Sequence, residues 1–218
     1  MRKRLTGSRF SRKFRYLAAD LSQIGKKFHA RGWSLGTSGN LSAVAQVDPL
    51  RVVITGSGLD KEFLAPAQFL EIDGDGNVIR GKGRPSAETA IHLAIVQARA
   101  AGSVLHTHSV WSTVLSEHYA RAGSVAISGY EMLKGLEGVF THEHTERIPI
   151  LDNSQDMREL ARRVLELLRD RPEIHGFLLR GHGLYTWGAN PHEAKRHVEI
   201  LEFLMEVRVR SGAGANPA

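Results

Sequence analysis

Short apolar runs that end in glycine-rich turns alternate along this chain with segments that are apolar on one side only. Arg51-Val52-Val53-Ile54 leads into Thr55-Gly56-Ser57-Gly58, which predicts a strand followed by a tight turn. Between residues 14 and 31 the apolar positions recur at spacings of four, three and four, which predicts an amphipathic helix. Both periodicities in one chain favour an α/β fold.

The same patterns predict the other elements. A turn at residues 73–77 separates two short strands, so a hairpin is expected there. Ser86 is the expected N-cap of a helix that Gly102 ends. Further helices are predicted at residues 109–122, 155–169 and 191–210, and further strands at 103–105 and 176–180.

The 218 residues suffice for one substantial hydrophobic core, and the composition of 42 % hydrophobic and 24 % charged residues is typical of a globular protein. We expect a catalytic domain at residues 16–210. A basic tail at residues 1–15 and a Gly, Ala and Pro tail at 211–218 are expected to be disordered. No apolar run is long enough to span a bilayer.

The net charge of +6 comes from the first fifteen residues, which hold seven Lys and Arg and no acid. The remainder has 22 basic and 23 acidic residues, so its balance does not indicate a nucleic-acid or membrane partner. The basic segment favours a solvated end over a nucleic-acid contact, a membrane contact or a transit peptide. The chain has no cysteine, so a metal must bind His, Asp or Glu, and a cytoplasmic location is the default expectation.

The most informative motif is His106-Thr107-His108 at the end of a predicted apolar strand. Side chains two apart on a strand share a face and can bind one ion. His182, between two glycines beyond the strand at 176–180, is the best third ligand. Three imidazoles with an open position are typical of a catalytic zinc site, although imidazole also binds Fe, Ni and Cu.

The other histidines favour ordinary surface or core roles: His29, His92, His118, His175, His192 and His197. His142 and His144 form a second alternate pair, but no clear apolar strand precedes them, so a metal there is less favoured. Two carboxylates, Glu88 and Glu131, are candidates for proton transfer, and periodicity does not decide between them.

Three turns rich in small residues have backbone N–H groups and hydroxyls that can bind a phosphate. They are residues 37–40, residues 55–58 and the segment around Ser86. Neither the spacing of a dinucleotide-binding motif nor that of a nucleotide-triphosphate loop is present. Together with a metal site, the turns favour an anionic substrate.

These motifs resemble the class II aldolase and adducin family over about residues 17–206. The matching segments are Thr37-Ser38-Gly39-Asn40-Leu41-Ser42, Ile54-Thr55-Gly56-Ser57-Gly58, Pro85-Ser86-Ala87-Glu88, His106-Thr107-His108 and Arg180-Gly181-His182-Gly183. Within the family, Glu131-Met132-Leu133-Lys134-Gly135 and Gly183-Leu184-Tyr185-Thr186-Trp187-Gly188 resemble the methylthioribulose-1-phosphate dehydratase branch.

The resemblance implies a three-layer α/β/α fold with a mixed, mainly antiparallel sheet, and a homotetramer with active sites near subunit contacts. It implies one zinc ion per subunit on His106, His108 and His182. Glu131 matches the acid/base of the dehydratases, and Glu88 matches the residue that aldolases place beside the metal. The implied phosphate contacts are Gly39, Asn40, Ser57, Gly58 and Ser86.

The branch implies a lyase of methionine salvage that removes water from 5-methylthioribulose 1-phosphate to give 2,3-diketo-5-methylthiopentyl 1-phosphate. A sugar-phosphate aldolase or 4-epimerase is the alternative, although Ala87 stands where such aldolases often have a second serine. A non-catalytic adducin-like interaction module is a remote third possibility, because such chains are expected to have lost the metal ligands. The family pattern does not explain the basic start.

Overall fold

The computed structural model describes residues 11–212. Its helices are α1 (Arg12–Ala30), α2 (Thr89–Arg99), α3 (Val110–His118), α4 (Met157–Asp170) and α5 (Pro191–Arg210), with 3-10 turns at Pro66–Gln68, Ala120–Ala122 and Glu131–Gly135. Its strands are β1 (Asn40–Gln46), β2 (Arg51–Thr55), β3 (Phe69–Ile72), β4 (Val78–Arg80), β5 (Ser103–Thr107), β6 (Ser124–Ser128), β7 (Thr145–Leu151), β8 (Gly176–Leu179) and β9 (Gly183–Gly188).

All of these strands join one sheet in the order β4-β3-β2-β1-β5-β9-β8-β7-β6. Among the described strands, β7 and β8 pair in parallel and every other pairing is antiparallel. The expected mixed, mainly antiparallel sheet is therefore confirmed.

Helices pack on both faces of the sheet. Successive strand residues point to opposite faces, so apolar side chains on each face can pack against helices. On β5, Val104 packs in a cluster with α2 and α4, whereas its neighbour Leu105 packs in a cluster with α1 and α5. On β8, Phe177 packs on the side of α2 and α4, and Leu178 packs on the side of α3 and α5. The molecule thus has the three layers that the family resemblance implies.

Helix α1 begins inside the predicted basic tail. The Ser11 hydroxyl accepts a hydrogen bond from the Phe14 amide at 3.0 Å and caps the helix, and the Phe14 side chain is buried. Residues 12–15 are therefore helical, because burial of one aromatic ring extends the helix beyond the predicted boundary. The rest of both predicted tails, residues 1–10 and 213–218, lies outside the described residues.

Helix α2 begins at Thr89, so the expectation that Ser86 is its N-cap was wrong. Pro85 instead forms a β-bridge with Gly56, which holds this segment extended. The Ser86 hydroxyl is engaged before the helix starts, since it accepts from the Glu88 amide at 3.3 Å. Helix α5 matches its predicted bounds, whereas β6, β7 and β9 were not predicted. None of the described helices is long and apolar enough to cross a membrane.

Candidate metal centre and substrate pocket

The three predicted histidine ligands converge where the end of β5 meets the start of β9. These strands are antiparallel neighbours, so His106 on β5 lies close to His182 in the turn before β9. The Nε2 atom of His106 lies 3.3 Å from that of His182 and 2.7 Å from that of His108. Residues far apart in sequence are therefore brought to one point by strand pairing.

These imidazoles can offer lone pairs to a cation. His106 Nδ1 lies 2.9 Å from the Leu184 carbonyl oxygen, to which only a protonated nitrogen can donate, so the lone pair is on Nε2. Burial lowers the pKa of His106 well below its ordinary value, and burial together with His182 lowers the pKa of His108 to about 4. His106 and His108 are therefore neutral at physiological pH, as metal ligands must be.

The cluster fits a divalent metal ion. Ligand atoms of Glu88 and of the three histidines all lie within 4.8 Å of one another. A tetrahedral ion with metal–nitrogen distances of about 2.0–2.1 Å separates its ligand nitrogens by about 3.3 Å. The His106–His182 pair has this separation, and the His106–His108 pair is closer. Three Nε2 atoms facing one another satisfy their lone pairs best by sharing a cation.

Glu88 is the carboxylate beside the cluster. Its Oε1 lies 3.0 Å from His182 Nε2, and its Oε2 lies 3.6 Å from His106 Nε2 and accepts a hydrogen bond from the Asn40 amide. Burial alone would raise the pKa of Glu88, but the neighbouring His106 and His182 and the Asn40 amide outweigh burial and lower it. The carboxylate is therefore ionised and can accept a proton or contact a metal ion.

A pocket of about 350 Å³ opens onto these side chains. Its walls include all five residues predicted to contact phosphate: Gly39, Asn40, Ser57, Gly58 and Ser86. Gly39 has φ +74°, and a Cβ atom there would lie 2.7 Å from the His106 carbonyl oxygen. This glycine therefore allows the first turn to lie directly against the metal-binding strand.

The remaining wall comes from Asn153 and Gln155, between β7 and α4, and from Met157 at the start of α4. Sequence patterns did not select these residues. Polar residues between a strand and a helix are typical of an ordinary loop, so no local signal marks them.

His92, predicted to have an ordinary role, is a buried partner of the pocket. It lies one helical turn after Glu88 on α2, and its Nε2 bonds the Asn40 side-chain oxygen. Its Nδ1 lies 2.7 Å from the Ser42 hydroxyl. The ionised Glu88 can only accept hydrogen bonds, so Asn40 must turn its side-chain NH₂ toward Glu88. The side-chain oxygen of Asn40 then faces Nε2 of His92. Neutral His92 thus orients Asn40, and its spacing of four residues from Glu88 was the available signal.

Glu131 does not line the pocket of its own chain. It begins a 3-10 turn with a side chain that is 69 % exposed, pairs with Lys134, and lies 3.5 Å from His142 Nδ1. His144 bonds Glu146 at 3.0 Å, so this second histidine pair does not converge on a shared point. Of the two predicted carboxylates, a single subunit brings Glu88 alone to the metal cluster.

A larger cavity, of about 500 Å³, lies at the opposite ends of β5 and β9. His175 there bonds Glu146 and the Glu137 carbonyl oxygen at 3.0 and 2.8 Å. His197 bonds the Trp187 carbonyl oxygen at 2.7 Å and accepts from the Glu137 amide at 3.3 Å. Because both ring nitrogens of each histidine are engaged, these rings support the structure and do not form a second metal site.

Comparison with known proteins shows which family the chain resembles. Residues 19–209 match the family model described as the class II aldolase and adducin N-terminal domain. The chain is 39 % identical to the methylthioribulose-1-phosphate dehydratase of Sorangium cellulosum over 201 residues, covering 91 % of this chain and 94 % of that protein. It is 42 % identical to the enzyme of the same name in Pseudomonas aeruginosa over 195 residues, covering 89 % and 94 %.

Solved structures share the fold. L-fuculose-1-phosphate aldolase from Thermus thermophilus superposes with a TM-score of 0.73 at 26 % identity, covering 93 % of this chain and all of that chain. A sugar-phosphate aldolase from Thermotoga maritima superposes with a TM-score of 0.70 at 17 % identity, covering 94 % and 98 %. The second likeness shows the fold alone.

Proposed function

The chain belongs to the class II aldolase and adducin family, and within it we propose that the protein is a metal-dependent methylthioribulose-1-phosphate dehydratase. The observation that carries this proposal is one pocket in which three imidazoles and a carboxylate face turns suited to an anion. The relatives of about 40 % identity that carry this name support the choice of reaction. The step would serve methionine salvage.

His106, His108 and His182 would hold one divalent ion per subunit, and we propose zinc. When bound, the ion supplies Lewis-acid stabilisation of negative charge on the substrate oxygens. The donor set supports this choice, because three neutral imidazoles with room for a further ligand suit catalytic zinc. The metal content of the purified protein, measured by elemental analysis, tests the identity of the ion.

The phosphate of the substrate would lie among Gly39, Asn40, Ser57, Gly58 and Ser86, where backbone N–H groups and hydroxyls can donate to it. This position directs the sugar carbons toward Glu88 and the histidines. Glu88 can then accept a hydrogen bond from a substrate hydroxyl and orient it.

Glu131 would remove the proton from C3 of the sugar. The C3–H and C4–O bonds break, a C3=C4 double bond forms, and the C4 hydroxyl leaves as water after it is protonated. The enol at C3 then tautomerises to the diketone. Because Glu131 is exposed and absent from its own pocket, we propose that it reaches the pocket of a neighbouring subunit. This arrangement suits the homotetramer implied by the family resemblance.

Mixing two inactive variants tests this assignment. Glu131→Gln keeps the pocket intact and removes the base, whereas His182→Ala removes a metal ligand and keeps the base. If Glu131 acts in a neighbouring subunit, co-expressed variants in random assembly regain about a quarter of the parent activity. If the mixture stays inactive while each variant assembles normally, Glu131 does not serve a neighbouring site.

The alternative is aldol cleavage or 4-epimerisation of a sugar phosphate. It is favoured by one observation, the position of Glu88 beside the imidazoles, because Glu88 matches the residue that aldolases of this family place beside the metal. Product analysis separates the reactions: the dehydratase forms a diketone that retains all carbons, whereas an aldolase releases dihydroxyacetone phosphate and an aldehyde. All three predicted metal ligands converge, which disfavours an adducin-like interaction module. The cytoplasmic location stays a prediction.

A further inference from the structure

The pocket proposed to bind phosphate has no cationic side chain in its described lining. Glycine, serine, threonine, asparagine and glutamine supply most of its polar surface, and Glu88 adds a negative charge. A phosphate monoester carries a charge of about −1.5 to −2 at neutral pH. Apart from the proposed metal ion, only backbone and hydroxyl donors would offset that charge next to a carboxylate.

One lysine lies directly behind this pocket. Lys61 is buried, with 1 % of its surface exposed. Its ammonium donates to the Thr37 carbonyl oxygen at 3.2 Å and to the Leu59 carbonyl oxygen at 2.6 Å. Thr37 begins the first turn of the pocket, and Leu59 follows the second turn at residues 56–58. The ammonium therefore ties together the two turns proposed to hold the phosphate.

The charge of Lys61 interacts electrostatically with groups of the catalytic site. Burial lowers the pKa of Lys61 to about 8, while Asp60 and Glu88 act to raise it, so the ammonium stays charged at neutral pH. The same charge contributes to lowering the pKa of His108, after burial and the effect of His182. A buried ammonium loses its hydration, which is unfavourable unless partners compensate for it.

The contacts of Lys61 leave room for one more partner. An ammonium group has three donors, and the two carbonyl oxygens occupy two of them. The third donor has no hydrogen-bond partner among residues 11–212. Asp60 and Glu88 already supply negative charge near the ammonium, and an anion bound beside the two turns would add to it.

We infer that Lys61 is the cation of the phosphate site, acting on the phosphate group of the substrate through its buried charge and its hold on both turns. This inference rests on the proposed function, because it needs a phosphorylated substrate. Lys61 is a positioning residue in this role: it strengthens binding of the phosphate and leaves bond breaking to the carboxylates.

The test compares Lys61→Gln, Lys61→Met and Lys61→Arg in the metal-loaded enzyme. Glutamine retains amide donors for the carbonyl oxygens without the charge, methionine removes both, and arginine retains a charge. Lys26→Gln is the matched control, since it removes one charge from an exposed position on α1. Each protein is assayed for kcat, KM, inhibition by inorganic phosphate and Tm.

For Lys61→Gln we expect KM and the inhibition constant of inorganic phosphate to rise about ten- to hundredfold, with kcat within about threefold of the parent. Lys61→Arg should recover part of the phosphate affinity, and Lys26→Gln should match the parent. If Lys61→Gln binds phosphate as the parent does, or loses only Tm, the inference is overturned. If the parent binds inorganic phosphate in calorimetry but does not dehydrate methylthioribulose 1-phosphate, the proposed function fails. The dissociation constants of phosphate for Lys61→Gln and the parent then still test the inference.

Discussion

Gly183 follows His182 and lies where the start of β9 pairs with the end of β5. A Cβ atom on Gly183 would lie 2.0 Å from the Thr107 carbonyl oxygen and 3.1 Å from His106 Cε1. Contacts between carbon and oxygen in proteins lie at about 3.3–3.6 Å, so Gly183→Ala must move the backbones of β5 and β9 apart by about 1.3 Å or more. That displacement would change the distance between His106 and His182.

The expected cost has two parts. Overpacking of this kind lowers the free energy of unfolding by about 1–3 kcal/mol. A displacement of about 1 Å in catalytic groups can reduce turnover about a hundredfold. Gly183→Ala should therefore lose Tm, bound metal and turnover together, measured by thermal unfolding, elemental analysis and a steady-state assay.

Gly102 provides a matched control at the other end of the same strand pair. A Cβ atom there would lie 1.9 Å from the Ala189 carbonyl oxygen, so the backbone clash is as severe. Gly102→Ala should lose a similar amount of stability but keep its metal and most of its turnover per folded molecule. Equal loss of turnover in both variants, or full metal occupancy in Gly183→Ala, would refute this explanation.

Two further predictions concern buried groups near the site. His92→Leu should lower kcat about tenfold or more at full metal occupancy, because the side-chain oxygen of Asn40 loses its hydrogen-bond donor. His92→Gln restores a donor and should recover much of the activity. Equal kcat in the two variants would contradict this role. Burial raises the pKa of Glu202 to about 7, even though the Thr107 hydroxyl donates a hydrogen bond to its carboxylate. The folded state therefore keeps a proton on Glu202 at pH values above about 4.5, where the unfolded chain releases it. The free energy of unfolding should therefore fall as pH rises from about 4.5 to about 7, and Glu202→Gln should flatten this fall in urea unfolding; an unchanged slope would show that another group is responsible.

Local periodicity sufficed for the elements whose signals lie within one segment. Helix α5 was predicted at its observed bounds, and α1 was predicted within two residues at each end, because each has a long apolar stripe. The strands β6 and β7 were missed because neither has such a stripe. β6 has only five residues, two of them serines, and β7 mixes charged residues with a proline.

The sequence by itself selected the three histidines, the three small-residue turns and two candidate carboxylates, Glu88 and Glu131, because each stands in a short motif with recognisable chemistry. Only the tertiary structure decided which motifs meet. Pairing of β5 with β9 brings together His106 and His182, which are 76 residues apart, and packing of α2 on the sheet turns His92 toward Asn40. The same fold buries Lys61 behind two turns and leaves Glu131 on the surface. Such contacts depend on non-local strand pairing and helix packing, which no local period encodes.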